Sequence, residues 1–138
     1  MREIKEDGFT LAIVDNFNNF EKGLHFYGSK YDFLQVGSFC YNKDQVMRNH
    51  RHIFRPRVNI KTQEIVVVFS GSVEARTYSK EDGSNTLVDT CVLHAGDIYI
   101  SYWGGCGFTV LENDTRMLEA KNGPYDVNDD NEDRELIL

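Results

Sequence analysis

The sequence has few cysteines and prolines and no long apolar segment. It contains three cysteines and two prolines among 138 residues. Three cysteines cannot all pair within one chain, so a disulfide framework is not expected. No apolar run approaches the ~20 residues that span a bilayer, and the N-terminal MREIKEDGF lacks a secretory apolar segment. These absences predict a protein of the reducing cytoplasm, with free thiols and no membrane partner.

The chain also lacks an excess of positive charge, since it has 15 basic and 22 acidic residues and a formal charge of −7. Residues 126–138 hold six acidic residues and one arginine, a charge of −5. Residues 1–125 hold 16 acidic and 14 basic residues, a charge of −2. Such a charge gives no footprint for nucleic acid, and we expect no nucleic-acid partner. An apolar content of 41% suffices for one core. We therefore predict a single domain, residues 1–125, followed by an acidic tail, residues 126–138.

Short apolar segments separated by turn residues run through most of the chain. QEIVVVF at 63–69 is apolar on both faces, as in a buried central strand, and VEART at 73–77 alternates like a half-buried one. SKEDGSN at 79–85 has the composition of a hairpin loop. The other predicted strands are FTLAIVDNF, one that follows a turn within NNFEKGLHFYG, FLQVGSFCY, QVMRNHRHI (residues 45–53), TLVDTCVL, DIYISYW, GFTVL and TRMLEA. This spacing of short strands predicts an all-β sandwich or barrel.

Two histidines and a glutamate form a candidate metal-binding group. If residues 45–53 are a strand, His50 and His52 lie on one face about 7 Å apart, and Arg48 shares that face. Glu64 begins the strand that we expect to pair with this one, so its carboxylate could reach the same ion. Two imidazoles and a carboxylate suit Fe(II), Mn(II), Zn(II) or Ni(II). The alternative is a solvated pair on a polar rim, and these residues alone leave both interpretations open.

This segment resembles the first motif of the cupin superfamily, in which His-x-His and a spacer precede a glutamate, six residues and a glycine. Here IVVVFS separates Glu64 from Gly71. The long spacer and its TQE tripeptide resemble those of small uncharacterised cupins often encoded near sugar and polysaccharide biosynthesis genes. Further likeness lies in AGD (95–97), GG-x-GF (104–108) and K-x-GPY (121–125), so that residues 33–125 match best. The resemblance implies a cupin-type β-barrel, that is, a double-stranded β-helix or jelly roll, and a homodimer.

The second cupin motif usually presents a histidine ligand where this chain has Cys106 in WGGCGF. A thiolate can also bind zinc or iron, and metal binding lowers the pKa of a thiol. The resemblance thus implies one divalent transition metal ion (Fe, Zn, Mn or Ni) bound by His50, His52, Glu64 and Cys106. The alternative for Cys106 is a small buried residue without a role, which would leave three ligands or none.

Four further residues are candidates for lining the pocket. Arg48 would face inward with the histidines and bind an anionic or carbonyl oxygen, although an arginine at a strand end can also extend into solvent. Tyr102 and the adjacent Trp103 lie just before the glycine turn at the expected mouth, where one of the two would line the pocket and the other would pack in the core or at a dimer contact. Glu119 and Lys121 share one face of TRMLEAK, as a structural ion pair or a proton-transfer couple.

These residues leave three hypotheses about function. The first is a metal-dependent enzyme, an isomerase, epimerase or dioxygenase, that acts on a small oxygenated metabolite such as a sugar or sugar nucleotide. The second is a non-catalytic module that binds a small ligand or a metal. The third resembles the metal-free sugar-nucleotide ketoisomerases of cupin fold, which use histidines as acid and base. Metal content separates the third from the first, and turnover separates the second from both.

Overall fold

The structure, a computed structural model, describes residues 1–123 and residue 137. The predicted tail lies outside the described residues except for Ile137, as do the last two residues of K-x-GPY. The regular elements in chain order are β1 (Arg2–Glu6), β2 (Phe9–Asn16), a 3-10 turn (Phe17–Asn19), β3 (Gly23–Tyr27), β4 (Val36–Cys40), β5 (Glu64–Ser70), β6 (Ser72–Tyr78), β7 (Leu87–His94), β8 (Asp97–Ser101), β9 (Cys106–Val110) and β10 (Arg116–Lys121).

The strands pair antiparallel in three groups. The large sheet has the order β1-β2-β8-β5-β10, the small sheet has the order β7-β6-β9, and β3 pairs with β4 in a separate hairpin. Within the described residues no sheet closes into a barrel. The prediction of an all-β fold is confirmed at this level. No helix in the described part of the chain has the length and hydropathy needed to cross a bilayer.

The large sheet buries apolar side chains on both faces. On its inner face, Val68 and Tyr99 pack against Val73 and Leu93 of the small sheet. On its outer face, a second cluster of Ile13, Ile98, Ile100 and Tyr102 packs against Tyr27 and Val36 of hairpin β3–β4. Because successive strand residues point to opposite faces, the alternation along β5 and β8 produces both layers. The molecule therefore has three layers, with the large sheet in the middle.

The prediction of a strand at residues 45–53 is wrong. Residues 41–63, between β4 and β5, contain neither strand nor helix, and β5 pairs with β8 and β10 instead. With both edges of β5 taken, no position is left beside it for the predicted partner. The segment QVMRNHRHI also has no continuous apolar face to bury. Conversely, β1 was not predicted, because it buries only one side chain, Ile4.

Candidate functional site

A thiol and a carboxylate meet on the inner face of the large sheet, at its end. Glu64 begins β5 and shares a face with Val66 and Val68, whereas Cys106 begins β9 of the small sheet. The Cys106 Sγ donates a hydrogen bond to Glu64 Oε1 at 2.8 Å, although the two residues are 42 positions apart in the chain. The structure thus brings together two of the four residues predicted as metal ligands.

The surroundings of Cys106 favour its neutral thiol. Burial raises the pKa of this thiol, and the negative charge of Glu64 and the hydrogen bond to it raise the pKa further. A hydrogen bond with the Ser101 side chain opposes these effects only in part. Because a neutral thiol can donate to a carboxylate and a thiolate cannot, the 2.8 Å contact requires the protonated form.

The predicted pair on β10 lies on the same face as Glu64. Lys121 is directly opposite Glu64 in the antiparallel register, and Glu119 is opposite Val66. Directly opposite residues share a face, so both side chains lie on the inner side. Their ion pair spans 3.5 Å from Lys121 Nζ to Glu119 Oε1, and the charge of Glu119 also raises the pKa of Cys106. We define the inner cluster as Glu64, Ser101, Cys106, Glu119 and Lys121.

The predicted histidines lie apart from this cluster in the single chain. His50 and His52 are exposed within residues 41–63, with their rings edge to face and 5.1 Å between centroids. A ring nitrogen of His50, Nδ1, is 2.9 Å from the carbonyl oxygen of Arg48, which is also exposed. Among the described residues, no three His, Cys, Asp or Glu side chains form a metal-binding group. The structure therefore brings the two histidines to each other but not to Glu64 and Cys106.

Tyr102 lies on the opposite face of the large sheet from the inner cluster. It is 2% exposed within the outer-face cluster, and its hydroxyl has no hydrogen-bond partner among the described residues. Burial raises its pKa, and the nearby charge of Asp32 raises it further. Gly28, at φ +70°, permits this packing: a Cβ there would lie 2.7 Å from the Tyr102 hydroxyl and 2.5 Å from Asp32 Oδ2.

Beside Tyr102, a cleft of about 800 Å³ opens between the large sheet and hairpin β3–β4. We call it the outer cleft. Its aromatic lining residues are Phe9, Phe20, Phe26, Tyr27, Tyr102 and Trp103, and its acidic ones are Glu3, Asp15, Glu21 and Asp32. None of the described residues that line it is a lysine or an arginine. The sequence did not predict this cleft, because the cleft depends on where hairpin β3–β4 docks on the large sheet.

Hydrogen bonds hold one carboxylate of the outer cleft in its ionised form. Burial alone would raise the pKa of Asp15, but hydrogen bonds from the Asn19 and Tyr27 side chains outweigh it and lower the pKa. The Tyr27 hydroxyl donates to Asp15 Oδ2 at 2.8 Å. In turn, burial and this hydrogen bond raise the pKa of Tyr27 to about 12.

Gln63, which sequence reasoning passed over, positions the start of β5. Its side chain is buried, and its Oε1 accepts hydrogen bonds from the backbone N–H groups of Phe33 and Leu34 at 2.8 and 2.9 Å. Its own N–H donates to Asn122 Oδ1 at 2.6 Å. These bonds connect the chain before Glu64 to the loop between β3 and β4 and to the end of β10. The only sequence signal was its place in the TQE tripeptide.

The molecule has two candidate sites, the inner cluster and the outer cleft, on opposite faces of the large sheet. Comparisons with protein families, curated proteins and solved structures found no match to this chain. The inner cluster holds carboxylate and thiol donors of the kind that bind transition metals. The outer cleft has the volume of a small-molecule site.

Proposed function

We propose that the protein is a cupin that binds one divalent transition metal ion and acts on a small oxygenated metabolite, such as a sugar or sugar nucleotide. The contact between Cys106 and Glu64 carries this proposal. These two residues occupy ligand positions of the two cupin motifs, and they meet although they lie on different sheets. Two antiparallel sheets packed face to face are also compatible with a cupin jelly roll.

The donor atoms fit such an ion. Glu64 offers a carboxylate oxygen and Cys106 a sulfur, and the imidazoles of His50 and His52 would complete a set of two nitrogens, one oxygen and one sulfur. Fe, Zn, Mn and Ni remain the candidate ions, and such an ion supplies a Lewis acid that polarises a substrate oxygen. Since Cys106 is protonated against Glu64, binding would release its proton.

The other members of the inner cluster have roles in an isomerase, epimerase or dioxygenase. The ammonium group of Lys121 would attract an anionic oxygen of the substrate. The carboxylate of Glu119, 3.5 Å from that ammonium, can accept a proton from a substrate carbon or hydroxyl. These side chains therefore bind and exchange protons beside the proposed ligands.

Metal content tests the proposal. Protein purified without a tag or chelator is expected to carry close to one equivalent of one of the four metals, measured by elemental analysis. Cys106→Ala and Glu64→Gln should each lose most of it. Cys91→Ala is the matched control, since Cys91 is also partly buried but lies on β7 and outside the inner cluster, and it should retain the metal. A native protein that neither contains nor takes up Fe, Zn, Mn or Ni would refute the proposal.

A second candidate function, binding of a small ligand without catalysis, is favoured by the outer cleft. Its volume lies within the usual range of ligand sites, roughly 300–1,000 Å³. Aromatic faces can stack on a sugar ring, and carboxylates accept hydrogen bonds from hydroxyl or amino groups. The described lining has four acidic residues and no lysine or arginine, and the terminal ammonium of Met1 is already paired with Asp15 Oδ1 at 3.1 Å, so the cleft disfavours phosphorylated ligands. We therefore expect a neutral sugar or an amino sugar.

Fluorescence can test this second candidate, because Trp103 lines the cleft and is the only tryptophan in the sequence. Titration with neutral and amino sugars should change its emission, whereas sugar phosphates should not. Phe26→Ala should weaken binding. Phe39→Ala is the matched control, because both side chains are about half exposed on the hairpin and only Phe26 lines the cleft. Equal effects of the two variants, or no response to any sugar, would exclude the cleft as a sugar site.

A further inference from the structure

Residues 41–63, which we call the arm, expose an unusual amount of apolar surface. The side chains concerned are between 62 and 96% exposed: Val46, Met47, Ile53, Phe54, Val58 and Ile60. Isolated exposed apolar residues are normal, but a dense series in one segment marks a surface that another molecule covers. No described residue of the same chain covers these six side chains.

Charge indicates what covers the arm. The arm contains six basic residues and one acidic residue, a charge of +5. The rest of the chain contains nine basic and 21 acidic residues, a charge of −12. The body of a second copy is therefore an electrostatically complementary partner for the arm. The same attraction acts within one chain, yet there residues 41–60 of the arm are exposed.

The small sheet offers a place for the arm. Within the described residues β9 pairs only with β6, so its other edge has no strand partner among them. An unpaired edge of this kind readily accepts a strand from another chain. Residues 45–54 precede Pro56 and contain no proline, so each of them has an N–H to donate.

We propose that the arm of one copy adds as a strand to the free edge of β9 in a second copy, and that His50 and His52 thereby reach Glu64 and Cys106 of that copy. Cys106 and Phe108 pack on the inner face of β9. With the two histidines on this face of the added strand, their imidazoles lie beside Cys106. The inference rests on the proposed metal site, which is incomplete in a single chain and complete in the dimer.

Mixed dimers test where the ligands come from. One variant is His50→Ala/His52→Ala, the other is Glu64→Gln/Cys106→Ala, and neither alone should bind metal. In a purified mixed dimer one of the two sites regains all four ligands, so the metal content should return to about half of that of the native dimer. If each arm serves its own chain, both sites stay broken and the mixed dimer remains empty, which would overturn the proposal. A pair with His25→Ala/His94→Ala in the first chain is the control, and should show half occupancy in either case.

A second measurement does not depend on metal, so that failure of the proposed function can be told from failure of strand exchange. Native protein should have twice the 15.9 kDa mass of the chain. After ¹⁴N- and ¹⁵N-labelled chains are mixed, an amine cross-linker should join arm residues Lys43 and Lys61 to body lysines in peptide pairs of mixed isotope. If only pairs of a single isotope form, or if the protein is a monomer, the proposal is overturned whatever the metal content. A monomer that binds labelled single-stranded RNA through the arm would assign the arm to nucleic acid instead.

A point variant separates the interface from folding. Phe54 is 96% exposed in the single chain, so Phe54→Asp removes no intrachain packing and should convert the dimer to a folded monomer. Tyr31→Asp is the matched control, because Tyr31 is also a highly exposed aromatic residue but lies outside the arm, and the dimer should persist. A Phe54→Asp protein that remains dimeric, with the native circular dichroism spectrum, would contradict arm exchange.

Discussion

The contact between Thr77 and Tyr99 ties the two sheets together and allows a quantitative test of their packing. Thr77 is on β6 of the small sheet and Tyr99 on β8 of the large sheet, and both are almost fully buried. Their side-chain oxygens are 2.7 Å apart. The ring of Tyr99 also contacts Phe108 edge to face, with 5.5 Å between centroids. The pair thus holds β8 against both β6 and β9, beside the inner cluster.

Tyr99→Phe removes one hydroxyl and leaves that of Thr77 buried without its partner. Such an orphaned group costs about 1–3 kcal/mol of the free energy of unfolding, and Thr77→Val should cost a similar amount. The double variant replaces both groups with apolar ones of the same shape, so its loss should fall well below the sum of the two. With an unfolding entropy of about 2.1 cal/mol/K per residue, each kcal/mol lowers the Tm by roughly 3–4 °C.

Urea denaturation of the four proteins, followed by circular dichroism, gives the coupling free energy of the pair directly. We expect a coupling of about 1 kcal/mol or more. Thr90→Val, an exposed threonine on β7, is the control and should change stability by less than about 0.5 kcal/mol. If the two single losses simply add, or if Tyr99→Phe costs nothing, the sheets do not pack through this contact.

Three further predictions concern the inner cluster and the turns beside it. Burial raises the folded-state pKa of Cys106 above its usual value of 9.0, so the unfolded chain loses this proton first as the pH rises. The free energy of unfolding should therefore fall by about 1.4 kcal/mol per pH unit above about pH 9. Urea titrations at several pH values measure this decline, which Cys106→Ser should delay. Glu64→Gln removes the negative charge beside the Cys106 thiol and therefore lowers the pKa of that thiol. Alkylation of Cys106 by iodoacetamide at pH 8 should then be faster. Gly71→Ala should lower the Tm, because Gly71 has φ +77° and a Cβ there would overlap Thr115; an unchanged Tm would contradict the turn geometry.

The sequence predicted the strands that bury a regular apolar pattern and failed where burial depends on distant segments. From β5 to β10 each strand has alternating or continuous apolar residues and turn residues at its ends, so local chemistry sufficed. The arm contains β-branched and aromatic residues as well, but strand formation needs a free partner edge, and β5 has none to offer. A partner edge is a property of the assembled sheet and cannot be read from the arm itself.

The candidate site was predictable to the same extent. Period-two alternation in β10 anticipated that Glu119 and Lys121 share a face, whereas their place beside Glu64 follows from the pairing of β5 with β10. The same alternation puts Tyr102 on the other side, because Tyr99 is an inner-face residue and Tyr102 follows three positions later. The outer cleft and the role of Gln63 depend on where hairpin β3–β4 docks, and no local pattern encodes that docking.

The two candidate sites connect different layers, and binding should therefore stabilise different parts of the molecule. An ion held by Glu64 and Cys106 would link the large sheet to the small sheet, whereas a ligand in the outer cleft would link the large sheet to hairpin β3–β4. A ligand at 100 times its Kd stabilises the folded state by about 2.7 kcal/mol. Amide hydrogen exchange shows where this stabilisation acts. Slower exchange in β6 and β9 on adding metal identifies the inner cluster as the binding site, and slower exchange in β3 and β4 on adding a sugar identifies the outer cleft. A metal that slows exchange only in the hairpin would contradict the ligand assignment even if the protein binds it stoichiometrically.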